Sequence, residues 1–324
     1  MSEPILEIKD LKKHFPTSAG PFSKSRGAVK AVDGVCLTVM PGETVGLVGE
    51  SGCGKTTVGR TVMKLYQPTS GQIFFDGEEI TNLRGRAMKP IRSKIQMIFQ
   101  DPYSSLNPRH TVNQIVGSSF EIHGIKPEGG IKMAVQELLE RVGLNPEHIN
   151  RFPHEFSGGQ RQRIGIARAL ALKPKLIVAD EPVSALDVSI QAQVVNLLDD
   201  LQKELGLSYL FVAHDLSVVQ QISDRVVAMY LGKVMEEAPT AELFAHPRHP
   251  YTKALLSAVP IPDPRIERSR ERITLKGDLP NPANPPSGCV FSTRCWKATA
   301  LCREKAPEVI EISPRHKVAC HFPE

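Results

Sequence analysis

Long apolar runs are missing from the 324-residue sequence, and no stretch approaches the roughly 18–20 apolar residues that a membrane-spanning helix needs. The opening segment MSEPILEIKDLKKHF carries acids and lysines where a signal peptide needs an apolar core. These absences argue against a membrane-spanning or secreted protein. We therefore expect the chain to stay in the cytoplasm.

A strong excess of charge of one sign is also absent. The 40 Lys and Arg residues against 35 Asp and Glu residues give a net charge of +5, which permits a nucleic-acid or membrane-surface partner without indicating one. With 41% hydrophobic and 23% charged residues, the composition is typical of a globular protein. The length suffices for one large domain or two modest ones.

Cysteine is scarce until the end of the chain. Only Cys36 and Cys53 occur early, and the other four are Cys289, Cys295, Cys302 and Cys320. Because structural disulfides are unusual in the cytoplasm, the late group predicts a metal or cluster site. Its spacing, C-x5-C-x6-C-x17-C, matches neither the paired knuckles of a zinc ribbon nor a ferredoxin run. A four-thiolate zinc site, an iron–sulfur cluster and unliganded thiols all remain open.

Strands and helices are predicted to alternate along most of the chain. Short strands are expected in ILEIKDLKKHF, in AVDGVCLTVMPGETVGLVGE, which a turn at Pro41–Gly42 splits in two, and in PKLIVADEP and LSYLFVAHD. Helical spacing runs from Gly54 to near Pro68 and dominates residues 110–172. The alternation predicts an α/β fold with a parallel sheet. The stretch PTSAGPFSKSRGA between the first strands predicts an exposed loop.

Proline becomes dense from about residue 239, in segments such as HPRHPYTKALLSAVPIPDP and LPNPANPPSG. We place the start of a small appended domain near Gly232–Pro239, which divides the chain into residues 1–235 and a C-terminal extension of residues 236–324. The extension looks too poor in apolar residues to build a core. A bound metal would close its loops where packing cannot.

The segment GESGCGKTT, Gly49–Thr57, fits the pattern G-x-x-x-x-G-K-[ST] between a predicted strand and a predicted helix. Its glycines let successive backbone N–H groups face one concavity, and the helix N-terminus adds the positive end of a dipole, which suits phosphates. We expect Lys55 to reach the β- and γ-phosphates of a nucleotide and Thr56 to hold Mg²⁺. The predicted binding residues of this phosphate loop are Gly49, Ser51, Gly52, Gly54, Lys55, Thr56 and Thr57.

Cys53 lies inside the phosphate loop and has two interpretations. It is either a small side chain that fills limited space or, because a helix N-terminus favours the thiolate, an acidic and reactive thiol. Alkylation that bound ATP does not slow would argue against the second.

The apolar strand in LIVADE, residues 176–181, ends in two carboxylates. Asp180 is expected to hold Mg²⁺, because carboxylate oxygens are ligands that this ion prefers. Glu181 follows at the strand end, where it is placed to polarise a water for attack on the γ-phosphate.

A second anion-binding helix end is predicted in FSGGQRQRIGIARALALKPK. Ser157–Gly159 precede a helix whose N-terminus suits an anion, and its apolar side is formed by Ile164, Ile166, Ala167, Leu170 and Ala171. Since one nucleotide already has its phosphate loop, the second helix end points to a nucleotide held by another subunit.

The ordered motifs resemble those of the ATP-binding-cassette (ABC) ATPases over about the first 230 residues. Besides the phosphate loop and the acidic strand end, they comprise the Q-loop MIFQDP, the signature FSGGQ, the D-loop SALD and the switch-histidine segment FVAHDLS. Their key residues are Gln100, Ser157–Gln160, Ser184–Asp187 and His214. The resemblance implies a phosphate-loop ATPase domain with a helical subdomain at about residues 101–172.

In that family two ATPase domains close head to tail around nucleotide. The resemblance therefore implies that Ser157, Gly159 and Gln160 of one chain contact the γ-phosphate held by Lys55 of its partner. It also implies that Phe15 stacks on the adenine ring.

The same resemblance assigns roles around the metal and the attacking water. Gln100 would join Thr56 and Asp180 at Mg²⁺. His214 would align the water with Glu181. The expected catalysis is hydrolysis of ATP to ADP and phosphate.

Further segments narrow the resemblance. MIFQDPYSSLNPR, HPRHPYTKALLSAVPIPDP and PPSGCVFSTRC are similar to the ATPases of oligopeptide/dipeptide importers, and FSGGQRQR leans toward the F-type of their paired D- and F-type subunits. Such ATPases drive two transmembrane permease subunits at the cytoplasmic face of the prokaryotic plasma membrane and depend on an extracytoplasmic peptide-binding protein. The resemblance implies a D-type paralogue or a second copy as partner, and a [4Fe–4S] cluster at the four late cysteines.

Three other functions are alternatives: a soluble ABC ATPase acting on nucleic acid or ribosomes, an importer ATPase for a non-peptide solute such as a metal chelate, and a nucleotide kinase. The first usually carries two cassettes or an inserted DNA-binding module, and neither is visible, so no nucleic-acid partner is expected. A kinase needs lid and acceptor motifs, which are missing.

Overall fold

A computed structural model describes residues 3–17, 27–260, 265 and 272–324 of the chain. Most of the predicted loop PTSAGPFSKSRGA lies outside these residues. The chain divides into two compact units, a first unit of residues 1–6, 39–44 and 75–212 and a second unit of residues 7–38, 45–74 and 213–324.

The strands and helices of the described residues are given in chain order. The strands are β1 (Leu6–Pro16), β2 (Ala28–Val39), β3 (Thr44–Val48), β4 (Ser70–Phe75), β5 (Glu78–Glu79), β6 (Ile95–Ile98), β7 (Leu176–Asp180), β8 (Ser208–Val212), β9 (Arg225–Tyr230), β10 (Lys233–Pro239), β11 (Ile310–Ser313) and β12 (His316–Val318). The helices are α1 (Lys55–Val62), α2 (Lys89–Lys94), α3 (Pro102–Ser105), α4 (Val112–His123), α5 (Gly130–Arg141), α6 (Gly158–Leu170), α7 (Val188–Leu205), α8 (Leu216–Ile222), α9 (Thr240–Ala245), α10 (Pro250–Ser257) and α11 (Ala300–Glu304). None of the helices in this described part of the chain has the length and apolar character needed to cross a membrane.

The first unit contains a parallel sheet in the order β6-β7-β8. Every residue of β7 and β8 is buried, because parallel strands covered on both faces need continuous apolar runs such as LIVA and YLFV. The helices predicted within residues 110–172 are confirmed as α4, α5 and α6. The α/β prediction is thus confirmed for this unit.

Helix α7 illustrates how sequence spacing produces the helices of the first unit. Its buried residues Val194, Val195, Leu198 and Leu201 recur every three or four positions and so share one face. Gly206 ends the helix with a φ of 63°, a left-handed conformation that glycine adopts at little cost. The helix therefore has both a buried face and a defined end.

The second unit joins strands from distant parts of the sequence. β3 pairs in parallel with β9, and the antiparallel order continues through β10 and β12 to β11. The predicted appended domain would begin inside β10, whose neighbours β9 and β12 lie on either side of that boundary in the sequence. The division at residue 235 stays a prediction.

The proline-dense extension packs into an apolar cluster that it shares with residues before its predicted boundary. Tyr230, Tyr251 and Phe291 are fully buried and pack with ring centroids 4.8–5.4 Å apart. Leu231, Met235 and Val290 are buried in the same cluster. Three widely separated segments each contribute a large ring, so the extension relies on strand β9 for part of this cluster.

Candidate nucleotide-binding site

The phosphate loop has a backbone that only glycine can adopt at two of its positions. The fully buried strand β3 leads into Gly49, and helix α1 begins at Lys55. Gly49 has a φ of 150°, and a Cβ there would lie 2.2 Å from the carbonyl oxygen of Met229. Gly54 has a φ of 107°, and its Cβ would lie 2.0 Å from the carbonyl oxygen of Ala31. Any side chain at these positions would displace the loop.

Lys55 lies inside the phosphate loop. Its side chain is buried, and Nζ donates hydrogen bonds to the carbonyl oxygens of Gly49 at 2.7 Å and Glu50 at 3.1 Å. Among the other predicted residues of the loop, Ser51 and Gly52 are exposed and Thr56 and Thr57 are half-buried at the start of α1. An ammonium group beside glycine-rich backbone can bind an anion.

Cys53 does not have the properties of a reactive thiol. It is fully buried, with its Sγ 3.8 Å from Nζ of Lys55. Burial raises the pKa of Cys53 and outweighs the opposing effect of the lysine charge. The structure therefore favours the small filling side chain over the acidic thiol.

The end of strand β7 carries the two predicted carboxylates. Asp180 is its last residue and is 1% exposed. Glu181 has a φ of 47°, a left-handed conformation that is uncommon for a residue other than glycine and that concentrates at functional sites. Its backbone N–H donates to the carbonyl oxygen of Val212 at 2.9 Å, which fixes this conformation.

Gln100 and Glu181 meet, although 81 residues separate them in the sequence. Nε2 of Gln100 donates a hydrogen bond to Oε2 of Glu181 at 2.8 Å. Gln100 follows strand β6 and Glu181 follows strand β7, and these two parallel strands are neighbours. Because parallel strands end at the same sheet edge, the pairing places both side chains there.

The signature segment FSGGQ forms the N-terminus of helix α6. The Oγ of Ser157 accepts from the backbone N–H of Gln160 at 3.3 Å, and the Gln160 side chain accepts from the N–H of Ser157 at 3.0 Å. This reciprocal capping box fixes the helix start while leaving both side chains exposed. Gly159 is buried, and a Cβ there would lie 2.4 Å from Cγ2 of Ile190. The apolar face predicted for this helix is buried as expected.

Two arginines of α6 hold the segment after Gln100, and the sequence reasoning missed them. Arg161 has its Cζ 3.9 Å from the ring centroid of the exposed Tyr103 and donates from Nε to the carbonyl oxygen of Pro153 at 2.6 Å. Arg168 donates to the carbonyl oxygen of Ser105 at 2.6 Å. The two arginines are seven residues, or two helical turns, apart and therefore lie on one face of α6. This spacing could have predicted that they act together.

The remaining predicted residues occupy separate positions. Ser184 of the D-loop donates from Oγ to the carbonyl oxygen of Glu181 at 3.1 Å, and the exposed Asp187 precedes α7. In the second unit the exposed His214 precedes Asp215, the N-cap of α8. Phe15 is half-buried and packs edge-on against Tyr66 at 5.4 Å. Their roles toward nucleotide stay predictions.

Two family profiles match separate parts of the chain. Residues 32–184 match the ABC transporter family, and residues 235–302 match the oligopeptide/dipeptide transporter C-terminal region. An oligopeptide transport ATP-binding protein of Bacillus subtilis, AppF, is 58% identical over 99% of this chain and 98% of its own length. The chain belongs to the ABC transporter family. The resemblance to oligopeptide/dipeptide importer ATPases is confirmed.

Other ABC proteins support the same relationship. The oligopeptide transport ATP-binding protein OppF of Salmonella typhimurium is 53% identical over 98% of this chain and 95% of its own length. A dimeric post-hydrolysis structure of the ATP-binding cassette MJ0796, bound to ADP and Pi, has a TM-score of 0.64 and 29% identity over 72% of this chain and 98% of that chain. The structure of cbiO1 from Clostridium perfringens, part of the cbiONQ ABC transporter complex, has a TM-score of 0.64 and 30% identity over 75% and 92%.

The four late cysteines of this ABC protein line one small cavity of about 20 Å³. All four are free thiols, and burial raises the pKa of Cys289 to about 11. In the described part of the chain, however, no three His, Cys, Asp or Glu side chains are arranged to hold a single metal ion. The expected zinc or cluster site is therefore not shown by the described residues, although all four cysteines line the same cavity.

Proposed function

We propose that this chain is the ATP-hydrolysing subunit of a peptide importer. The observation that carries the proposal is the 58% identity to an oligopeptide transport ATP-binding protein over nearly the whole of both chains, extension included. A cassette ATPase of another function would be expected to share the ATPase motifs and to lose the match beyond residue 235. We keep the division into residues 1–235, with a helical subdomain at about 101–172, and residues 236–324 as part of the proposal.

The nucleotide triphosphate would bind to the phosphate loop, with adenine stacked on Phe15. Backbone N–H groups and the ammonium of Lys55 would attract the negative phosphates. The hydrogen bonds from Nζ to the carbonyl oxygens of Gly49 and Glu50 support this proposal, because they place the ammonium inside the loop. The remaining loop contacts come from Ser51, Gly52, Gly54, Thr56 and Thr57.

Mg²⁺ would be held by Thr56, Gln100 and Asp180. Their hydroxyl, amide and carboxylate oxygens are the hard ligands that suit this ion. The bond that Gln100 makes to Glu181 uses its Nε2 and leaves the amide oxygen as the ligand atom. When bound, Mg²⁺ would neutralise charge that develops on the phosphates.

Glu181 would accept a proton from the attacking water, and His214 would help to orient that water. The Glu181 backbone, fixed in its left-handed conformation, and the Gln100 bond hold the carboxylate in a set direction. Such pre-orientation lowers the cost of reaching the reactive geometry.

Ser157, Gly159 and Gln160 would complete the site of a partner ATPase subunit. Exposed capping-box side chains at a helix N-terminus suit the γ-phosphate of a nucleotide bound elsewhere. Only closure of two subunits would dry the site and supply these donors, so hydrolysis would depend on assembly. The partner is a D-type paralogue or a second copy of this chain.

A [4Fe–4S] cluster held by Cys289, Cys295, Cys302 and Cys320 is the finer proposal for the extension, and zinc is its alternative. Its support is the convergence of four thiols on one cavity and the match of residues 235–302 to the transporter C-terminal region. Thiolates are the usual ligands of such clusters. When bound, the cluster would join loops of the extension.

The partners proposed for the assembly are two transmembrane permease subunits and an extracytoplasmic peptide-binding protein, with this chain peripheral at the cytoplasmic face of the plasma membrane. The segment after Gln100, with the exposed Tyr103, would face the permeases. The contacts of Arg161 with the Tyr103 ring and the carbonyl oxygen of Pro153 would transmit permease movement to the signature helix α6.

The test is to purify the intact membrane complex without air, identify its subunits and metal, and measure ATP hydrolysis with and without peptide. We expect permeases, a second ATPase subunit, peptide-stimulated hydrolysis and the visible absorption of an iron–sulfur cluster. Co-purification with nucleic acid or ribosomes would contradict the proposal, and so would stimulation by a metal chelate alone. A colourless complex that contains zinc would replace the cluster and leave the ATPase assignment intact.

A further inference from the structure

The phosphate loop is tied to the extension by an ion pair that no sequence motif predicts. Arg294 donates from a guanidinium nitrogen to a carboxylate oxygen of Glu50 at 2.7 Å, although 244 residues separate them. Only 10% of the Arg294 side chain and 27% of the Glu50 side chain are exposed. Partial burial reduces solvent screening, so this pair is stronger than an ordinary surface pair.

Glu50 is fixed by three different contacts. Its backbone N–H donates to the hydroxyl of Tyr251 at 2.9 Å, its carbonyl oxygen accepts from Nζ of Lys55 at 3.1 Å, and its carboxylate accepts from Arg294. Two of these three partners belong to the C-terminal half of the second unit. The path of the phosphate loop at this residue is therefore set from outside the loop.

Arg294 itself is held by packed neighbours. Its backbone N–H donates to the carbonyl oxygen of Phe291 at 3.0 Å, and Phe291 is fully buried against Tyr230 and Tyr251. Its guanidinium carbon lies 6.0 Å from the centre of the Tyr230 ring. These contacts hold the Arg294 side chain beside the Glu50 carboxylate.

The negative charge of Glu50 indicates that the ion pair with Arg294 does more than attach the extension to the phosphate loop. A carboxylate within a loop that wraps phosphates repels a nucleotide triphosphate unless a cation neutralises it. Attachment of the extension does not need this charge, because buried rings already fasten Phe291 to Tyr230 and Tyr251. The aromatic cluster holds the Glu50 backbone through Tyr251 but cannot neutralise the Glu50 carboxylate.

We propose that Arg294 is a positioning residue for nucleotide binding, which holds and neutralises Glu50 so that the phosphate loop keeps its open concavity. The inference rests on the proposed function, since it assumes that the loop binds ATP. It adds that the Cys-rich segment determines how tightly ATP is bound.

The test measures the dissociation constant of Mg-ATP for the full chain by calorimetry, together with urea unfolding. Arg294→Ala is expected to weaken binding about tenfold, the loss of one hydrogen bond to a charged group. Arg294→Lys keeps the charge and should stay within about threefold of wild type. The matched control is Arg303→Ala, an exposed arginine of the same segment, which should bind as wild type does.

A double-substitution cycle separates this role from simple attachment. In the Glu50→Gln background there is no carboxylate to neutralise, so Arg294→Ala should change affinity by less than about threefold. An equal loss of affinity in both backgrounds would overturn the proposal, and so would wild-type affinity in a folded Arg294→Ala chain. If Arg294→Ala does not fold, Arg294→Gln removes the positive charge while keeping a longer side chain, and it is expected to weaken binding in the wild-type background and not in the Glu50→Gln background.

The two proposals fail in different ways. A wild-type chain that binds Mg-ATP no better than Lys55→Ala would remove the proposed function and this inference together. A wild-type chain that binds Mg-ATP, with an Arg294→Ala variant that binds it equally well, would remove this inference alone.

Discussion

Gln100 donates a hydrogen bond from Nε2 to Oε2 of Glu181 at 2.8 Å, so a residue after strand β6 holds the carboxylate after strand β7. The bond links the proposed metal-binding amide to the proposed base. A change at the metal or in the Q-loop would therefore reach the group that activates water.

Removal of the Gln100 donor should slow hydrolysis more than it weakens binding. Gln100→Ala leaves the Glu181 carboxylate without this partner, and a hydrogen bond to a charged group contributes about 1.5–3 kcal/mol, which corresponds to at least about a tenfold loss in kcat. The dissociation constant for ATP measured without Mg²⁺ should change little, because the proposed contacts of Gln100 are to the metal and to Glu181. Steady-state hydrolysis and calorimetry measure the two effects, with Gln136→Ala on helix α5 as the control. Equal losses in affinity and kcat would contradict the assignment.

Substitution of the proposed base should separate binding from hydrolysis. Glu181→Gln keeps the shape of the side chain and removes the proton acceptor, so hydrolysis should fall at least about 100-fold. ATP should still bind, and the variant should accumulate as a closed dimer. Size-exclusion chromatography with Mg-ATP detects this dimer. Glu137→Gln, an exposed carboxylate of α5, is the control. Hydrolysis at the wild-type rate would show that Glu181 is not the base.

A bulky charge at the signature should block turnover and spare nucleotide binding. Ser157→Arg removes the capping hydroxyl of α6 and fills the exposed helix end that the partner's nucleotide would meet. Lys55→Ala should do the opposite and lose affinity directly, because its ammonium lies inside the phosphate loop. Binding to each isolated chain and turnover by the assembled subunits distinguish the two variants. Normal hydrolysis by Ser157→Arg subunits would refute a shared site.

Gly159 should tolerate substitution far less well than its neighbour. A Cβ at Gly159 would lie 2.4 Å from Cγ2 of Ile190, whereas one at Gly158 would lie an ordinary 3.5 Å from Cδ2 of Leu186. Gly159→Ala should therefore lower the free energy of unfolding by about 1–3 kcal/mol, and Gly158→Ala by much less. Urea unfolding provides the measurement. Adding Ile190→Ala to the Gly159→Ala variant should restore part of the lost free energy of unfolding. If it restores none, the clash with Ile190 is not the cause of the loss.

Cys53 should react slowly with thiol reagents. Its burial raises its pKa, so little thiolate is present at neutral pH, and the fraction grows as pH rises. Cys36 is exposed and serves as an internal control in the same molecule. Alkylation by iodoacetamide, followed by mass spectrometry at pH 7, should modify Cys36 at least about tenfold faster. Modification of Cys53 faster than that of Cys36 would instead support the interpretation of Cys53 as a reactive thiol.

The phosphate loop and the acidic strand end could be predicted from sequence because each has a recognisable local pattern. Gly49 and Gly54 belong to such a pattern, although the carbonyl oxygens that exclude a side chain there belong to the distant Met229 and Ala31, and Asp180 follows an apolar strand directly. The helix start at Ser157 was readable for the same reason, since its cap involves residues three positions apart.

The long-range contacts could not be predicted in this way. No spacing rule connects Gln100 to Glu181 or Glu50 to Arg294, because each pair is created by strand order and packing. The aromatic cluster that the extension shares with strand β9 could not be predicted for a related reason. Its rings, Tyr230, Tyr251 and Phe291, come from three segments that lie far apart in the sequence.

The most direct test of the shared nucleotide site is a structure of the intact membrane complex that carries Glu181→Gln and is trapped with Mg-ATP. The measurement is the distance from Oγ of Ser157 to the γ-phosphate bound at the partner ATPase subunit. A hydrogen-bond distance of about 2.5–3.5 Å is the predicted result. A solvent-exposed Ser157, with each nucleotide enclosed by a single subunit, would contradict the account.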